Sequence, residues 1–135
     1  MIRPFNIKDL EHFTPNEFSQ LPDFTVLTNP AFRVQSQVHA DKVQAIIVFR
    51  NYWGRCWSGF LLICADYSLQ CARELKRFLH DAIRDLGAQR FQTESLSHPT
   101  IKAWHEWLGF TYEGHKKKFI FDRDYDCWAI VTEGA

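Results

Sequence analysis

Several things this sequence lacks bound it before anything it contains. Its 135 residues hold no apolar stretch approaching the ~20 needed to cross a bilayer as a helix. Met1-Ile2-Arg3-Pro4-Phe5 lacks the apolar core of a secretory signal, so the expectation is a soluble protein, cytosolic where it is made, with no membrane partner. Charge of one sign is missing as well, because sixteen Lys and Arg balance sixteen Asp and Glu. Without a global field to gather polyanions, nucleic acid is the least expected partner. The one basic run, His115-Lys116-Lys117-Lys118, reads as a solvated hairpin end, with a small anion-binding patch as the alternative. Close cysteine pairs are absent: Cys56, Cys64, Cys71 and Cys127 fall at none of the spacings that metal sites use. Buried free thiols are expected, with no metal and no disulfide framework, and a nucleophilic cysteine is the remote alternative.

What is present is a globular composition, 46% apolar and 24% charged, of a length that suits one domain spanning residues 1–135. Residues 2–5 read as a short strand, and Ile7, Leu10 and Phe13, spaced by three, as a short helix. Thr14-Pro15-Asn16-Glu17 carries a helix-start pattern, Thr14 as cap and Pro15 at the first helical position, and predicts a second brief helix. From Ala31 to His39 the alternation sets Phe32, Val34 and Val38 against Arg33, Gln35, Gln37 and His39, a half-buried strand turned back at Asp41-Lys42. Val43 to Phe49 is apolar at nearly every position, a strand covered on both faces. Asn51 to Gly54 reads as a turn, and Cys56 to Cys64 as the next strand, with Gly59 a candidate bulge or a place where another backbone or a ligand comes close. The long helix runs from Ser68 to Leu86, its apolar face made by Leu69, Ala72, Leu75, Leu79, Ala82, Ile83 and Leu86, and Gly87 ends it. Arg90 to Glu94 forms a strand, and Ser97-His98-Pro99 opens a helix with Ile101, Trp104, Trp107 and Leu108 inward. Three strand segments close the chain at 110–112, 119–121 and 125–131, with Asp122-Arg123-Asp124 as the connecting turn. The order β-α-α-β-β-β-α-β-α-β-β is an α/β chain with a mixed sheet and helices on its faces.

That order, with "WHEWLGF" at 104–110 and "RDYDCWAIV" at 123–131, resembles the GCN5-related N-acetyltransferases. The likeness covers nearly the whole chain, and its motif content lies in the second half. In that family a "FYEKLGF"-like segment ends the last helix, and the chain closes on a strand with an acidic, aromatic and apolar run. The resemblance implies acetyl transfer from acetyl-coenzyme A to an amine, which needs a pyrophosphate cradle, a base for the amine and an acid for the leaving thiolate. The family cradle is a glycine-rich turn at the start of the long helix, where bare amides and the helix dipole hold the phosphates. Counting back from Gly87 puts the cradle positions on Tyr67, Gln70 and Ala72, of which only Ala72 fits the pattern.

Ala65 to Cys71 contains no glycine, and Asp66 adds a negative charge where phosphate should sit. Asp66 or Ser68 suits a helix cap there. For the acid, the position matching the family tyrosine is His105, otherwise an exposed residue on the polar side of its helix. For the base, Glu94 is the nearest carboxylate along the chain, otherwise a solvated strand-end residue. Aromatic content is mostly core, while Trp53 and Tyr52, placed in a turn, are the candidates for an exposed partner patch. With its glycine-free helix start and polar-aromatic ending, the segment from Cys56 through Val131 is similar to degenerate acetyltransferase-like proteins of tailed bacteriophages, small virion or internal-core proteins. The resemblance therefore implies a non-catalytic, virion-associated protein whose partners are other proteins and which binds no cofactor, located in the host cytoplasm when made and then in the virion. The alternative it implies is an active N-acetyltransferase using acetyl-coenzyme A.

Overall fold

A computed structural model describes residues 1–19, 24–120 and 122–132. The described strands hydrogen-bond in one seven-stranded sheet, in the order β1-β2-β3-β4-β5-β7-β6. In chain order these are β1 (Ile2–Pro4), β2 (Arg33–His39), β3 (Lys42–Trp53), β4 (Cys56–Ile63), β5 (Arg90–Leu96), β6 (Thr111–Ile120) and β7 (Arg123–Val131). The helices are α1 (Phe24–Thr28), α2 (Leu69–Asp85) and α3 (Pro99–Leu108), and a 3₁₀ turn spans Ile7–Leu10. Chain contacts divide into two compact units, residues 1–50 with 59–82, and residues 51–58 with 83–135.

In the first unit β1, β2 and β3 are antiparallel. His39 pairs with Lys42, so the reversal is a two-residue turn at Ala40 and Asp41, both at positive φ (50° and 62°), one residue earlier than expected. Such a turn matches strand twist, and Asp41 tolerates the left-handed region better than Ala40 does. β3 is buried from Gln44 to Phe49, which explains its unbroken apolar run. Ile46 and Val48 pack with Phe13, Leu27, Leu62 and Cys64 to make this unit's core.

Three expectations fail here for local reasons. No helix starts at Pro15: Pro15 bridges Cys64, and the Asn16 side chain instead accepts from the Phe18 amide at 3.0 Å. The expected second helix otherwise falls partly on residues 20–23, outside the described residues, and α1 begins at Phe24. On β2 the alternation breaks, because the pairing register shifts between Gln37 and Val38 and both Ser36 and Gln37 are fully buried. On α2 Leu69 is 61% exposed, and Cys71 takes the inward place beside Ala72 and Leu75.

In the second unit β4 starts parallel to β5 over Cys56–Arg90, Trp57–Phe91 and Ser58–Gln92. β5 continues to Leu96 and pairs with β7, which pairs with β6, both antiparallel. β3 runs on through Asn51 to Trp53, so the expected turn is displaced to Gly54 and Arg55. Gly87, at φ 64°, ends α2 with its own amide on the Arg84 carbonyl and the next amide on Ile83. Gly109, at φ 103°, does the same for α3, as its sequence pattern required. The separate strands expected at 110–112 and 119–121, of which residue 121 lies outside the described residues, are joined as one strand, β6, over Thr111–Ile120, so Lys116, Lys117 and Lys118 lie within a strand and not at a hairpin end. A register break between Lys116 and Ile120, with Lys118 at φ 47°, absorbs the extra residues. The turn into β7 is shorter than the expected 122–124, since Arg123 already pairs with Ile120.

Candidate functional site

The first candidate place is the start of α2, inside the first unit. Its residues were expected to form the cradle, and each has a different occupation. Tyr67 is half-buried, and its hydroxyl donates to the Gln37 side-chain oxygen and lies 3.1 Å from the Cys71 carbonyl. Burial pushes its pKa far above the ordinary phenol value. Gln37 completes the cluster, its amide donating to the Cys71 carbonyl at 2.8 Å and to Glu74 Oε1 at 2.9 Å. Ser68 caps the helix: its Oγ accepts from the Cys71 amide at 3.1 Å, and its carbonyl takes the Ala72 amide at 3.0 Å. Gln70 is exposed and Ala72 is buried, facing the core. Asp66 is exposed, and the nearby Cys64 thiol is pushed up to about 11, first by burial and then by its hydrogen bond to Asp66. Cys64 and Cys71 are buried, Cys56 and Cys127 half-buried, and all four are free thiols. A thiol pushed upward by burial is a poor nucleophile, which removes Cys64, and burial raises Cys127 too.

The second candidate place lies in the second unit and holds His105 and Glu94. His105 is not on an exposed polar face: it is 8% exposed, stacked on Trp128 with ring centres 5.3 Å apart, and tilted against Phe110 at 5.5 Å. Its Nδ1 lies 2.9 Å from the Ile101 carbonyl, the usual helix acceptor four residues back, so that nitrogen carries the proton. Burial pushes its pKa below the ordinary histidine value, with the Asp126 charge opposing. It is therefore a neutral packing residue on α3, and Trp107, expected inward, is 38% exposed in its place. Trp128 Nε1 donates to Ser95 Oγ at 3.0 Å, so this aromatic layer is also polar-satisfied. Glu94 is exposed in the middle of β5, and its carboxylate accepts from Lys116 Nζ of β6 at 3.2 Å. Glu94 and His105 thus answer to different partners, Lys116 and the Ile101 carbonyl.

A constellation that the spacing of residues did not reveal stands on the β6–β7 hairpin. His115 Nδ1 is 2.8 Å from Asp126 Oδ1, and its Nε2 is 3.0 Å from Asp124 Oδ2. A carboxylate at each ring nitrogen favours the doubly protonated imidazolium, whose two N–H groups would both donate. Asp126, then Asp124, hold its pKa above the ordinary histidine value. The signal existed in the sequence as alternate acidic residues in "RDYD", but pairing them with His115 needs the register of β6 on β7. Among the described residues no group of three or more His, Cys, Asp or Glu could hold a metal ion.

No protein-family model and no curated protein sequence matches the chain. Solved structures do match. The ribosomal-protein-S18-alanine N-acetyltransferase from Escherichia coli superposes over 100% of this chain and 95% of its own, with a TM-score of 0.78 at 18% identity. A GNAT-family acetyltransferase from Bacillus anthracis covers 98% and 95%, with a TM-score of 0.73 at 18% identity. This chain has the GNAT fold. A third neighbour, a microcin C7 self-immunity acetyltransferase solved with acetyl-CoA and AMP, is 13% identical with a TM-score of 0.65, and the match spans 78% of this chain and 63% of its own. At such identities the likeness carries the fold and leaves the activity to the chemistry of this chain's own residues. No described helix is long and apolar enough to cross a membrane.

Proposed function

We propose that this chain is a non-catalytic GNAT-fold protein that works by binding another protein, and that it does not transfer acetyl groups. The observation that carries the reading is the start of α2. A pyrophosphate needs unengaged amides and no competing anion at a helix N-terminus. Here Ser68 takes the Cys71 amide, the Tyr67 hydroxyl is turned inward to Gln37, and Asp66 brings a carboxylate to the same turn. These residues do not fit coenzyme A. His105 as a buried neutral ring and Glu94 as an ion-paired surface carboxylate support the same reading, because neither offers a proton-transfer group at an open site.

Trp53 and Tyr52, 80% and 59% exposed near the end of β3, support a protein-binding role, since large aromatics are the side chains that anchor partner interfaces. A place in a bacteriophage particle is the finer part of the proposal, and it rests on the likeness in layout from Cys56 through Val131 alone. The alternative reading is an N-acetyltransferase with acetyl-CoA as donor, as the solved relatives' names imply for them. Isothermal calorimetry with acetyl-CoA separates the two: the proposal expects no saturable heat at millimolar cofactor. Saturable binding at micromolar strength, about −8 kcal/mol, sinks it.

A further inference from the structure

One turn beyond the cap, the first unit carries a surface hollow of about 370 Å³. Its walls are His39 at the end of β2 and residues of α2 between Leu69 and Arg77, the inward Cys71 among them. Arg73 and Arg77 stand four residues apart on that helix and so are neighbours on one face. Several basic side chains of this protein answer to a carboxylate, as Arg3 does to Asp9, Arg90 to Glu113 and Lys116 to Glu94. Among the described residues, none pairs with Arg73 or Arg77. Like charges at this spacing repel, and an anion between them removes that repulsion.

The hollow also contains Glu74, which would oppose an anion were its charge free. Its two oxygens are already held, Oε1 by the Gln37 amide at 2.9 Å and Oε2 by the Met1 ammonium at 3.1 Å. What remains uncompensated in the hollow is positive. Leu69, 61% exposed, supplies an apolar wall beside it. The volume lies at the lower end of small-ligand pockets, roughly 300 to 1,000 Å³.

We propose that this hollow binds a small organic phosphate, with the phosphate between the Arg73 and Arg77 guanidiniums and the organic part against Leu69. A dianionic phosphate matches two guanidiniums in charge and in their forked donor geometry, which a single carboxylate does not. The hollow adjoins the turn at residues 65–68 and shares Gln70 with the expected cradle positions, while its two guanidiniums lie beyond them on α2.

Backbone amide shifts of the full chain, titrated with inorganic phosphate and then with phenyl phosphate at fixed ionic strength, test it. The expected result is saturable movement of the amides of His39 and of residues 69 to 77, with phenyl phosphate the tighter ligand. An Arg73→Gln/Arg77→Gln double variant should lose at least about tenfold in affinity, the worth of one charge-assisted contact pair. Lys102→Gln, on the exposed face of α3, should bind like the parent. Shifts that do not saturate, or that saturate elsewhere, overturn the site. So does a double variant of unchanged thermal midpoint that keeps its affinity, and if that variant does not fold, Arg77→Gln alone keeping full affinity does the same. Equal affinity for the two anions overturns the organic class.

Discussion

The substitution Asp9→Asn tests how the first unit is pinned together. Asp9 is 8% exposed, and its carboxylate accepts four hydrogen bonds. Arg3 gives two at 2.9 and 2.7 Å, the Asn6 amide one at 2.9 Å and Ser36 Oγ one at 2.7 Å. It thereby ties β1 and the following 3₁₀ turn to β2. The Arg3 guanidinium, ahead of the other contacts, holds the Asp9 pKa down to about 2 from an ordinary 3.8. By linkage that depression corresponds to about 2 kcal/mol, trimmed toward ~1.5 because Arg3 is one-third exposed and screened. A folded pKa below the unfolded one means the contribution is full above 3.8 and lost as pH falls toward about 2. An asparagine at this position would keep the volume, lose the charge and turn an amide donor toward donors, so the variant should cost about 2 to 3 kcal/mol near pH 7. Urea unfolding of both proteins between about pH 7 and pH 2 reads it, and the gap between them should close as the wild-type carboxylate protonates. A gap under about 0.5 kcal/mol near neutrality, or one that stays constant down to about pH 2, refutes the reasoning.

His115 should titrate above 6.5 when its ring carbons are followed by NMR, and Asp126→Asn should bring it down, while a parent value at or below 6.5 contradicts the doubly bonded imidazolium. Because its folded pKa is raised, its support of the β6–β7 hairpin is full below 6.5 and lost as pH rises through the raised value. Gln37→Leu should lower stability by about 1 to 3 kcal/mol in urea unfolding, since it removes one acceptor of the Tyr67 hydroxyl and the donor to Cys71 and Glu74. An unchanged midpoint would show that this buried cluster contributes nothing net. Gly87→Ala should cost about 1 kcal/mol in thermal unfolding for holding alanine at φ 64°. Its new Cβ meets only Arg55 Nη2 at 3.9 Å, an ordinary contact, so a much larger loss would mean the strain account is wrong.

The elements with strong periodicity were legible in the sequence, because apolar residues at helical spacing along α2 and the unbroken run of β3 each admit one packing. The stop glycines at 87 and 109 were legible for the same local reason. What the sequence hid were places where tertiary pairing outweighs local pattern. Gln37 reads as an outward residue, and only the register shift after it, together with Tyr67 and Cys71 as partners, makes its burial favourable. His105 reads as polar and exposed, yet Trp128, arriving from β7, covers it. The lysines of β6 discourage a strand assignment, and pairing with β7 overrides that propensity. At the start of α2, the missing glycine was plain from the sequence, whereas the inward turn of Tyr67 was not.

The most direct measurement is a titration of the isotope-labelled Arg73→Gln/Arg77→Gln variant, whose α2 hollow is disabled, with acetyl-CoA, following the backbone amides of residues 66 to 72. With the Cys71 amide held by Ser68 and Asp66 beside it, those resonances should stay in place at millimolar cofactor. Saturable shifts centred on these amides would mean that a diphosphate docks against this turn, and the non-catalytic reading would be wrong.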